Sequence, residues 1–290
     1  MENIFKGLGV ALVTPFHADG SVDYESLSDL LHLHMDNGTD FLCVLGSTAE
    51  TPCLTPQEKL EVKNFVVDTV KGKMPILLGF GGNCTSALVS EIKEFDFRGV
   101  DGILSVVPFY NKPSQEGMYQ HFMAVAAAVP DMPVVLYNVP GRTGVNMLPE
   151  TTIRIARDAD NVVAIKEASG NVEQIAEIID NEPEGFDVLS GDDSIACSLI
   201  ERGAVGVISV VGNAIPKKFS TMIHLKLEGK SEEAEAVNSS LAELYRLVFV
   251  DGNPAGIKAL LSNMGKCENV LRLPLVPARP QTIEALKAFA

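Results

Sequence analysis

The chain has 290 residues, of which 38 are acidic and 23 basic, so its formal net charge is −15. That charge argues against nucleic acid as a partner, because contacts to the phosphate backbone supply most of the affinity for nucleic acids. A hydrophobic content of 46% with 21% charged residues excludes a disordered chain. No apolar run reaches the roughly 18 residues of a membrane helix. The N-terminus lacks the charged-then-apolar order of a secretory signal. We therefore expect a globular cytoplasmic protein with neither nucleic acid nor membrane as a partner.

The cysteines and histidines do not form a recognisable metal or disulfide motif. The five cysteines are odd in number, contain no C-x-x-C pair and are scattered along the chain at Cys43, Cys53, Cys84, Cys197 and Cys267. This usage is typical of a reducing compartment. No H-E-x-x-H motif is present. The pair Asp192-Asp193 lacks a third carboxylate nearby, so it favours a turn and a helix start over a divalent-metal site. We expect no bound metal.

Short apolar runs alternate with longer amphipathic stretches along most of the chain. The apolar runs predict eight strands, at Gly9–Val13, Phe41–Leu45, Pro75–Gly79, Gly102–Val107, Pro133–Tyr137, Val162–Lys166, Asp187–Leu189 and Val205–Val210. Helix-start signals lie between them. Thr55 to Glu58 forms a capping box with Pro56 at the first helical position, and Asn171 to Gln174 starts a helix in the same way.

Continuously apolar strands separated by helices indicate a parallel sheet with its faces covered. Eight such units match an α/β fold of the (β/α)8 TIM-barrel type. A doubly wound open sheet is the alternative that this count disfavours. After about residue 215 the strand pattern stops, and only helices are predicted, at Phe219–Leu227, Glu232–Val250, Ala255–Ser262 and Gln281–Phe289. The sequence thus predicts a catalytic barrel over residues 1–224 and a C-terminal helical domain over residues 225–290.

Lys166 is the leading candidate for a catalytic residue. It closes the apolar run Val162–Ile165, and active sites of such barrels lie at the C-terminal ends of the strands. Desolvation there would favour the neutral amine, which suits a Schiff-base nucleophile. The alternative is a strand-end lysine that reaches solvent past the rim. Glu167 is expected to face away from the amine, since consecutive strand residues point to opposite sides.

Two further strand ends carry reactive side chains. Tyr137 ends the preceding strand and could donate or accept a proton, although a simple rim aromatic is the alternative. Arg142 follows in a loop and suits carboxylate binding, against the alternative of a surface ion pair. Ser47 and Thr48 follow the second strand and could bind an anion, although Ser47 with Glu50 also fits a capping box.

Several segments in order carry a resemblance to a known family: Gly46–Glu50, Pro108–Pro113, Tyr137–Thr143, Ile165–Gly170 and Gly206–Ser209. Together they resemble the dihydrodipicolinate synthase and N-acetylneuraminate lyase superfamily over essentially the whole chain. Arg142 marks the synthase branch, since lyases that act on sugar acids generally lack an arginine there. Ser47 replaces the common threonine and keeps a hydroxyl, while Ala49 replaces the common glycine and adds one methyl group.

The resemblance implies a Schiff-base condensation of pyruvate with L-aspartate 4-semialdehyde to 4-hydroxy-tetrahydrodipicolinate, on the route to diaminopimelate and lysine. Lys166 would form the imine with pyruvate. Tyr137 would shuttle protons, linked through Thr48 to Tyr110. That last tyrosine would reach in from a neighbouring subunit, so a homo-oligomer is implied, with a tetramer expected and a dimer possible.

The resemblance also implies the binding residues. Arg142 would hold the carboxylate of the aldehyde substrate, Ser47 and Thr48 that of pyruvate, and the Ile208 carbonyl would lie near the imine. No metal or organic cofactor is implied, because the lysine serves as the electron sink. Two alternatives remain open: an aldolase or lyase of the same superfamily acting on N-acetylneuraminate or a 2-keto-3-deoxy acid, and a catalytically silent ligand-binding barrel.

Feedback inhibition by lysine is expected to be weak or absent. Inhibited relatives often bind lysine with histidines and a glutamate, and this sequence has Pro56, Lys59 and Ala87 at those positions, although Asn83 and Glu50 remain. A cation at position 59 and no acid at position 87 would disfavour binding of a second ammonium ion.

Overall fold

Eight parallel strands close into a barrel in the computed structural model, which describes residues 1–290. The strands follow chain order around the barrel, and the last pairs with the first. They are β1 Gly7–Ala11, β2 Phe41–Val44, β3 Ile76–Gly79, β4 Gly102–Val106, β5 Val134–Asn138, β6 Val162–Glu167, β7 Asp187–Ser190 and β8 Gly206–Ser209. The predicted TIM barrel is confirmed, and the open sheet is wrong.

Helices surround the barrel and extend beyond its last strand. Those up to the eighth strand are α1 Tyr24–Asp36, α2 Pro56–Val70, α3 Thr85–Glu94, α4 Gln115–Ala128, the short α5 Pro140–Thr143, α6 Pro149–Asp158, α7 Val172–Asn181 and α8 Ala196–Arg202. The later ones are α9 Pro216–Leu227, α10 Ser231–Ser239, α11 Ala242–Phe249, α12 Ala255–Asn263 and α13 Pro280–Leu286. None of them combines the length and apolarity that spanning a membrane would require.

The strands lie within two residues of their predicted bounds because both of their faces are covered. One face packs inside the barrel, in an apolar cluster that includes Phe5, Cys43, Leu104 and Val163. The other packs against the helices in a second, larger apolar cluster. A strand buried on both sides reads as a continuous apolar run, so the polar residues at its end stand out.

Both predicted helix starts exist, but they differ in detail. Thr55 and Glu58 cap α2 reciprocally, as predicted. At α7 the Asn171 side chain accepts a hydrogen bond from the backbone N–H of Gln174 at 3.1 Å. The Gln174 side chain does not return to Asn171; it points inward and donates to Glu167.

The C-terminal extension differs from the prediction at one point. The single helix expected over Glu232–Val250 is wrong, because the chain forms α10 and α11 with a break at Ser240 and Leu241. The Ser240 hydroxyl donates to the Val237 carbonyl at 2.6 Å, where it competes with the helical backbone bonds. The predicted domain boundary at residues 224/225 falls inside α9, and the division into two domains stays a prediction.

Candidate active site

A cavity of about 230 Å³ opens at the C-terminal end of the barrel. Five of the side chains that the sequence singles out line it: Ser47, Thr48, Tyr137, Arg142 and Lys166. They come from the loop after β2, the ends of β5 and β6, and α5. Other lining residues include Cys43 and Leu104 at the base and Asp192, Phe249 and Asn253 at the rim.

Lys166 and Tyr137 lie side by side in this cavity. The register of β5 and β6 places them opposite each other, and the Lys166 Nζ lies 4.6 Å from the centre of the Tyr137 ring. Both are buried, and no protein group accepts a hydrogen bond from the amine. Gly191 leaves room for the lysine, because a Cβ there would lie 3.2 Å from Lys166 Cε and 2.6 Å from Ala168 Cβ. The amine is therefore held in a narrow space without a hydrogen-bond partner from the protein.

The loop after β2 presents two hydroxyls to the cavity. Ser47–Ala49 forms a single 3₁₀ turn, preceded by Leu45 and followed by Glu50, both with positive φ. Gly79 on β3 permits this path, since a Cβ there would lie 2.2 Å from the Leu45 carbonyl oxygen. The turn places Ser47 and Thr48 in the lining of the cavity.

Asn253, between α11 and α12, connects two sides of the cavity. Its side-chain amide donates to Thr48 Oγ1 at 2.8 Å, and its backbone carbonyl accepts from Arg142 Nη2 at 3.1 Å. This residue carries no functional signal in the sequence, because an Asn-Pro pair signals only a turn. The extension thus contributes directly to the site, and it bridges the predicted anion-binding residues.

Two predicted site residues are not brought into the cavity. Tyr110 is 87% exposed and has a φ of +73°, a conformation that a bulky residue rarely adopts. It makes no hydrogen bond with Thr48 within the chain. Ile208 lies in the apolar cluster inside the barrel that also contains Tyr137, but its side chain does not line the cavity.

The two aspartates after β7 have different roles. Asp192 forms the predicted turn, since its carboxylate accepts from the backbone N–H and the hydroxyl of Ser194. Asp193 is buried instead and accepts from the backbone N–H groups of Val210 and Val211 at 3.0 and 2.8 Å. Burial raises the pKa of the Asp193 carboxyl to about 6. No group of three or more His, Cys, Asp or Glu side chains is arranged to hold a metal ion.

A buried ion pair anchors the hydroxyl-bearing loop to the extension. Glu50 binds the Nζ of Lys258 on α12, and both side chains are fully buried. The second carboxylate oxygen of Glu50 accepts from the backbone N–H of Arg272 at 2.9 Å. Lys258 lies five residues after Asn253, so the Glu50–Lys258 pair and the Thr48–Asn253 bond join the same two segments of the chain.

Comparisons with known proteins agree over the full chain. Residues 4–290 match the model of the family described as "Dihydrodipicolinate synthetase family". The chain is 58% identical over 289 residues to a 4-hydroxy-tetrahydrodipicolinate synthase of Phocaeicola vulgatus, covering 100% of this chain and 97% of the relative. It is also 58% identical over 282 residues to the enzyme of the same name from Parabacteroides distasonis, covering 97% of this chain and 95% of that relative.

Solved structures give the same result. The crystal structure of dihydrodipicolinate synthase from Thermotoga maritima superposes with a TM-score of 0.96 at 41% identity, covering 99% of this chain and 97% of that one. The enzyme from Aquifex aeolicus superposes with a TM-score of 0.94 at 40% identity, covering 98% and 97%. These relatives share the whole architecture, including the C-terminal helices.

Proposed function

Because the chain belongs to the dihydrodipicolinate synthetase family, we propose that it condenses pyruvate with L-aspartate 4-semialdehyde to 4-hydroxy-tetrahydrodipicolinate, through a Schiff base on Lys166. The observation that carries this proposal is the buried, unpaired amine of Lys166, 4.6 Å from the Tyr137 ring at the C-terminal end of the barrel. The product lies on the route to diaminopimelate and lysine. The relatives' names favour this reaction over cleavage of a sugar acid.

The reaction balances with the protein's own groups. The Lys166 amine adds to C2 of pyruvate, water leaves, and an imine forms. Loss of a proton from the methyl carbon gives an enamine, whose carbon attacks the aldehyde carbon of the semialdehyde. The aldehyde oxygen takes up a proton and becomes the hydroxyl group of the product. The amino group of that substrate then attacks C2 and displaces Lys166 as the ring closes. The lysine is regenerated without any net oxidation or reduction.

The lining residues suit the two carboxylates of this reaction. Ser47 and Thr48 present hydroxyls beside Lys166, where the carboxylate of pyruvate would lie. Arg142 lies at the rim and would bind the carboxylate of the semialdehyde, which arrives second. Tyr137 is placed to move protons at the imine. The backbone carbonyl of Ile208, on β8, would lie near the imine.

Tyr110 supports a proposal about assembly. Its ring is 87% exposed and its backbone is held in the left-handed region, so the single chain leaves it without a packing partner. We assign it to the site of a neighbouring copy, where it would complete a relay with Thr48 and Tyr137. The enzyme would then act as a homo-oligomer, a tetramer by expectation and a dimer as the smaller possibility. Its place of action would be the cytoplasm.

The proposed reaction is tested by offering the purified enzyme its candidate substrates separately. Pyruvate with L-aspartate 4-semialdehyde should give the cyclic product, identified by mass spectrometry, whereas N-acetylneuraminate and 2-keto-3-deoxy acids should release no pyruvate. Release of pyruvate from a sugar acid, with no cyclic product from the semialdehyde, would overturn the proposal in favour of the aldolase alternative. A protein inert to all of these substrates would favour a silent barrel.

A further inference from the structure

Behind Lys166, on the outer face of the same strand, lies a buried carboxylate that the proposed mechanism does not use. Glu167 is 0% exposed. Its oxygens accept from the Asn138 side-chain amide at 3.0 and 3.2 Å, the Ser169 backbone N–H at 2.8 Å and the Gln174 side-chain amide at 3.2 Å. All of these donors are neutral, and Glu167 forms no salt bridge. Burial raises the pKa of its carboxyl.

The donors are themselves fixed by a second set of bonds. The side-chain oxygen Oδ1 of Asn138 accepts from the backbone N–H of Met147 at 3.0 Å. Asn146 accepts from Asn138 at 2.8 Å and donates to Gln174 at 2.7 Å. Glu167, Asn138, Asn146 and Gln174 thus form a closed polar network between the sheet and the helices, in a layer that is otherwise apolar. A carboxylate buried without a cation is costly, so its presence calls for a role beyond packing.

The position of this network in the sheet points to that role. Along the pairing of β5 with β6, Tyr137 lies opposite Lys166, and the next pair is Asn138 opposite Glu167. Side chains alternate between faces, so the two polar side chains meet on the outer face directly behind the two reactive ones on the inner face. The same pairing has a register shift between Val134 and Val135. Four consecutive backbone pairs, from Val135–Ala164 to Asn138–Glu167, follow that shift, and the outer polar pair adds a side-chain bond between the strands at the last of them.

We propose that Glu167 is a positioning residue, which locks β5 to β6 through Asn138 in the register that holds Tyr137 against Lys166. The proposal rests on the proposed function, since it assumes that these two side chains perform the chemistry. A displacement of about 1 Å between reacting groups lowers rates by about 100-fold. Loosening the outer pair should therefore slow proton transfer at the imine more than it weakens pyruvate binding, because the binding hydroxyls lie on another loop.

The decisive variant is Glu167→Gln. It introduces an NH₂ group that meets the NH₂ groups of Asn138 and Gln174, so one of the inter-strand bonds is lost. We expect kcat for condensation to fall about 10- to 100-fold, while KM for pyruvate changes less than about threefold. Glu173→Gln, on the exposed side of α7, is the matched control and should leave both constants unchanged.

A second substitution should restore the pair. Adding Asn138→Asp to Glu167→Gln puts the carboxylate on β5, where it can accept from the amide introduced at position 167 and still accept from the Met147 N–H. The Asn146 amide must turn, so that its NH₂ group replaces the oxygen that accepts from Asn138 in the wild type. On a logarithmic scale, the double variant should recover at least half of the decrease in kcat that Glu167→Gln causes. If Glu167→Gln acted only through a nonspecific loss of packing, the second substitution would not restore kcat. Should Glu167→Gln fail to fold, Asn138→Ala carries the same test, because it removes the inter-strand bond but leaves Glu167 bonded to Ser169 and Gln174.

Trapping of the pyruvate imine with borohydride separates this proposal from the function on which it rests. A wild-type enzyme that forms no adduct refutes the lysine chemistry itself. Wild-type adduct formation, together with a folded Glu167→Gln enzyme whose kcat stays within about twofold of wild type, refutes only the positioning role. Failure of the double variant to exceed the single variant refutes it as well.

Discussion

Lys258 and Lys166 are buried lysines that each lie over an aromatic ring, but they differ in their partners. Lys258, at the junction of the barrel and the C-terminal extension, is paired with Glu50 and lies 4.1 Å from the centre of the Phe16 ring. Lys166, at the barrel mouth, lies 4.6 Å from the Tyr137 ring centre and has no carboxylate or carbonyl bonded to its amine. Burial lowers the pKa of Lys258, and the carboxylate beside it opposes that shift.

The difference shows why one buried lysine suits a structural role and the other the chemical role that we propose. A buried ammonium persists when an anion and further acceptors surround it, and removing one partner leaves the other charge unpaired. Lys258 satisfies that condition and joins two parts of the chain. Lys166 has no such partners, so no ion pair or hydrogen bond to the protein must be broken before its nitrogen meets a carbonyl carbon. Substitution of the two should therefore have opposite consequences for activity and stability.

The largest effect is expected from Lys166→Met. Loss of the nucleophile should lower kcat for condensation about 10²- to 10⁴-fold and abolish imine formation with pyruvate, while thermal unfolding changes little because the amine has no hydrogen bond or ion pair to lose. Steady-state kinetics and a melting curve on the same preparation check both parts. A stable variant with near wild-type turnover would contradict the assignment.

Lys258→Met should show the reverse pattern. It leaves Glu50 buried with only the Arg272 N–H as a donor, which should cost about 3–5 kcal/mol of unfolding free energy. Denaturant titration at one protein concentration measures this. Lys226→Met is the matched control: that lysine is also buried, but its partner Glu201 is 68% exposed and can be solvated, so a smaller loss is expected. Equal losses of unfolding free energy in Lys258→Met and Lys226→Met would contradict the structural role given to the buried pair.

Arg142→Ala should affect the second substrate and spare the first. Loss of a charged hydrogen-bond donor to a carboxylate is worth about 1.5–3 kcal/mol, so kcat/KM for the semialdehyde should fall about 10- to 100-fold. Trapping of the pyruvate imine should proceed as in wild type. Arg154→Ala, which removes an exposed arginine paired with Glu116, controls for charge alone. An unchanged kcat/KM would favour a different acceptor aldehyde.

Glu182 allows the same comparison of paired and unpaired groups for a carboxylate, because no cation is bonded to it. One of its oxygens is buried without a hydrogen-bond partner, and burial, together with Asp187 nearby, raises its pKa from 4.5 to about 7. Because the folded-state pKa is above the unfolded one, ionisation costs stability as the pH rises through this interval. Glu182→Gln should be more stable than wild type by about 1 kcal/mol at pH 8, after solvent screening, and should lose that advantage near pH 4.5. If Glu182→Gln were more stable than wild type by the same amount at every pH, ionisation of Glu182 would not be the cause.

The smallest effect is expected from added lysine. Glu50 is retained from the inhibitor-binding pattern, but it is buried and already paired with Lys258, so it offers no free carboxylate to a ligand ammonium. Lys59 adds a positive charge, and Ala87 provides no acid. Initial rates should be nearly constant in lysine. Half-maximal inhibition below about 1 mM would contradict this expectation.

Much of the barrel and part of the site could be predicted from the sequence because local signals report them. A continuous apolar run ends visibly at Lys166 and at Tyr137, and the rule that active sites lie at strand C-termini then places both side chains together. Thr55 and Glu58 likewise indicate the start of α2 through a motif of four consecutive residues. These features depend on neighbours in sequence, so a single chain reveals them.

The remaining features depend on contacts between distant residues. Asn253 meets Thr48 across 205 positions, and Lys258 meets Glu50 across 208. Neither contact leaves a local pattern, because the extension must fold back onto the barrel before its residues gain a role. Gln174 is a case in which the local pattern misleads. Its spacing from Asn171 fits a capping box, but its side chain donates a hydrogen bond to Glu167. The break at Ser240 depends on one hydroxyl that competes with the helix.

The most direct test of the central claim is a mass measurement on the two lysine variants. Wild type, Lys166→Met and Lys258→Met are incubated with pyruvate and borohydride, and the adduct is located by peptide mapping. We predict one reduced pyruvate per chain on Lys166 in wild type and in the folded fraction of Lys258→Met, and none in Lys166→Met. An adduct that persists in Lys166→Met, or its absence from wild type, would contradict the assignment of Lys166 as the Schiff-base lysine.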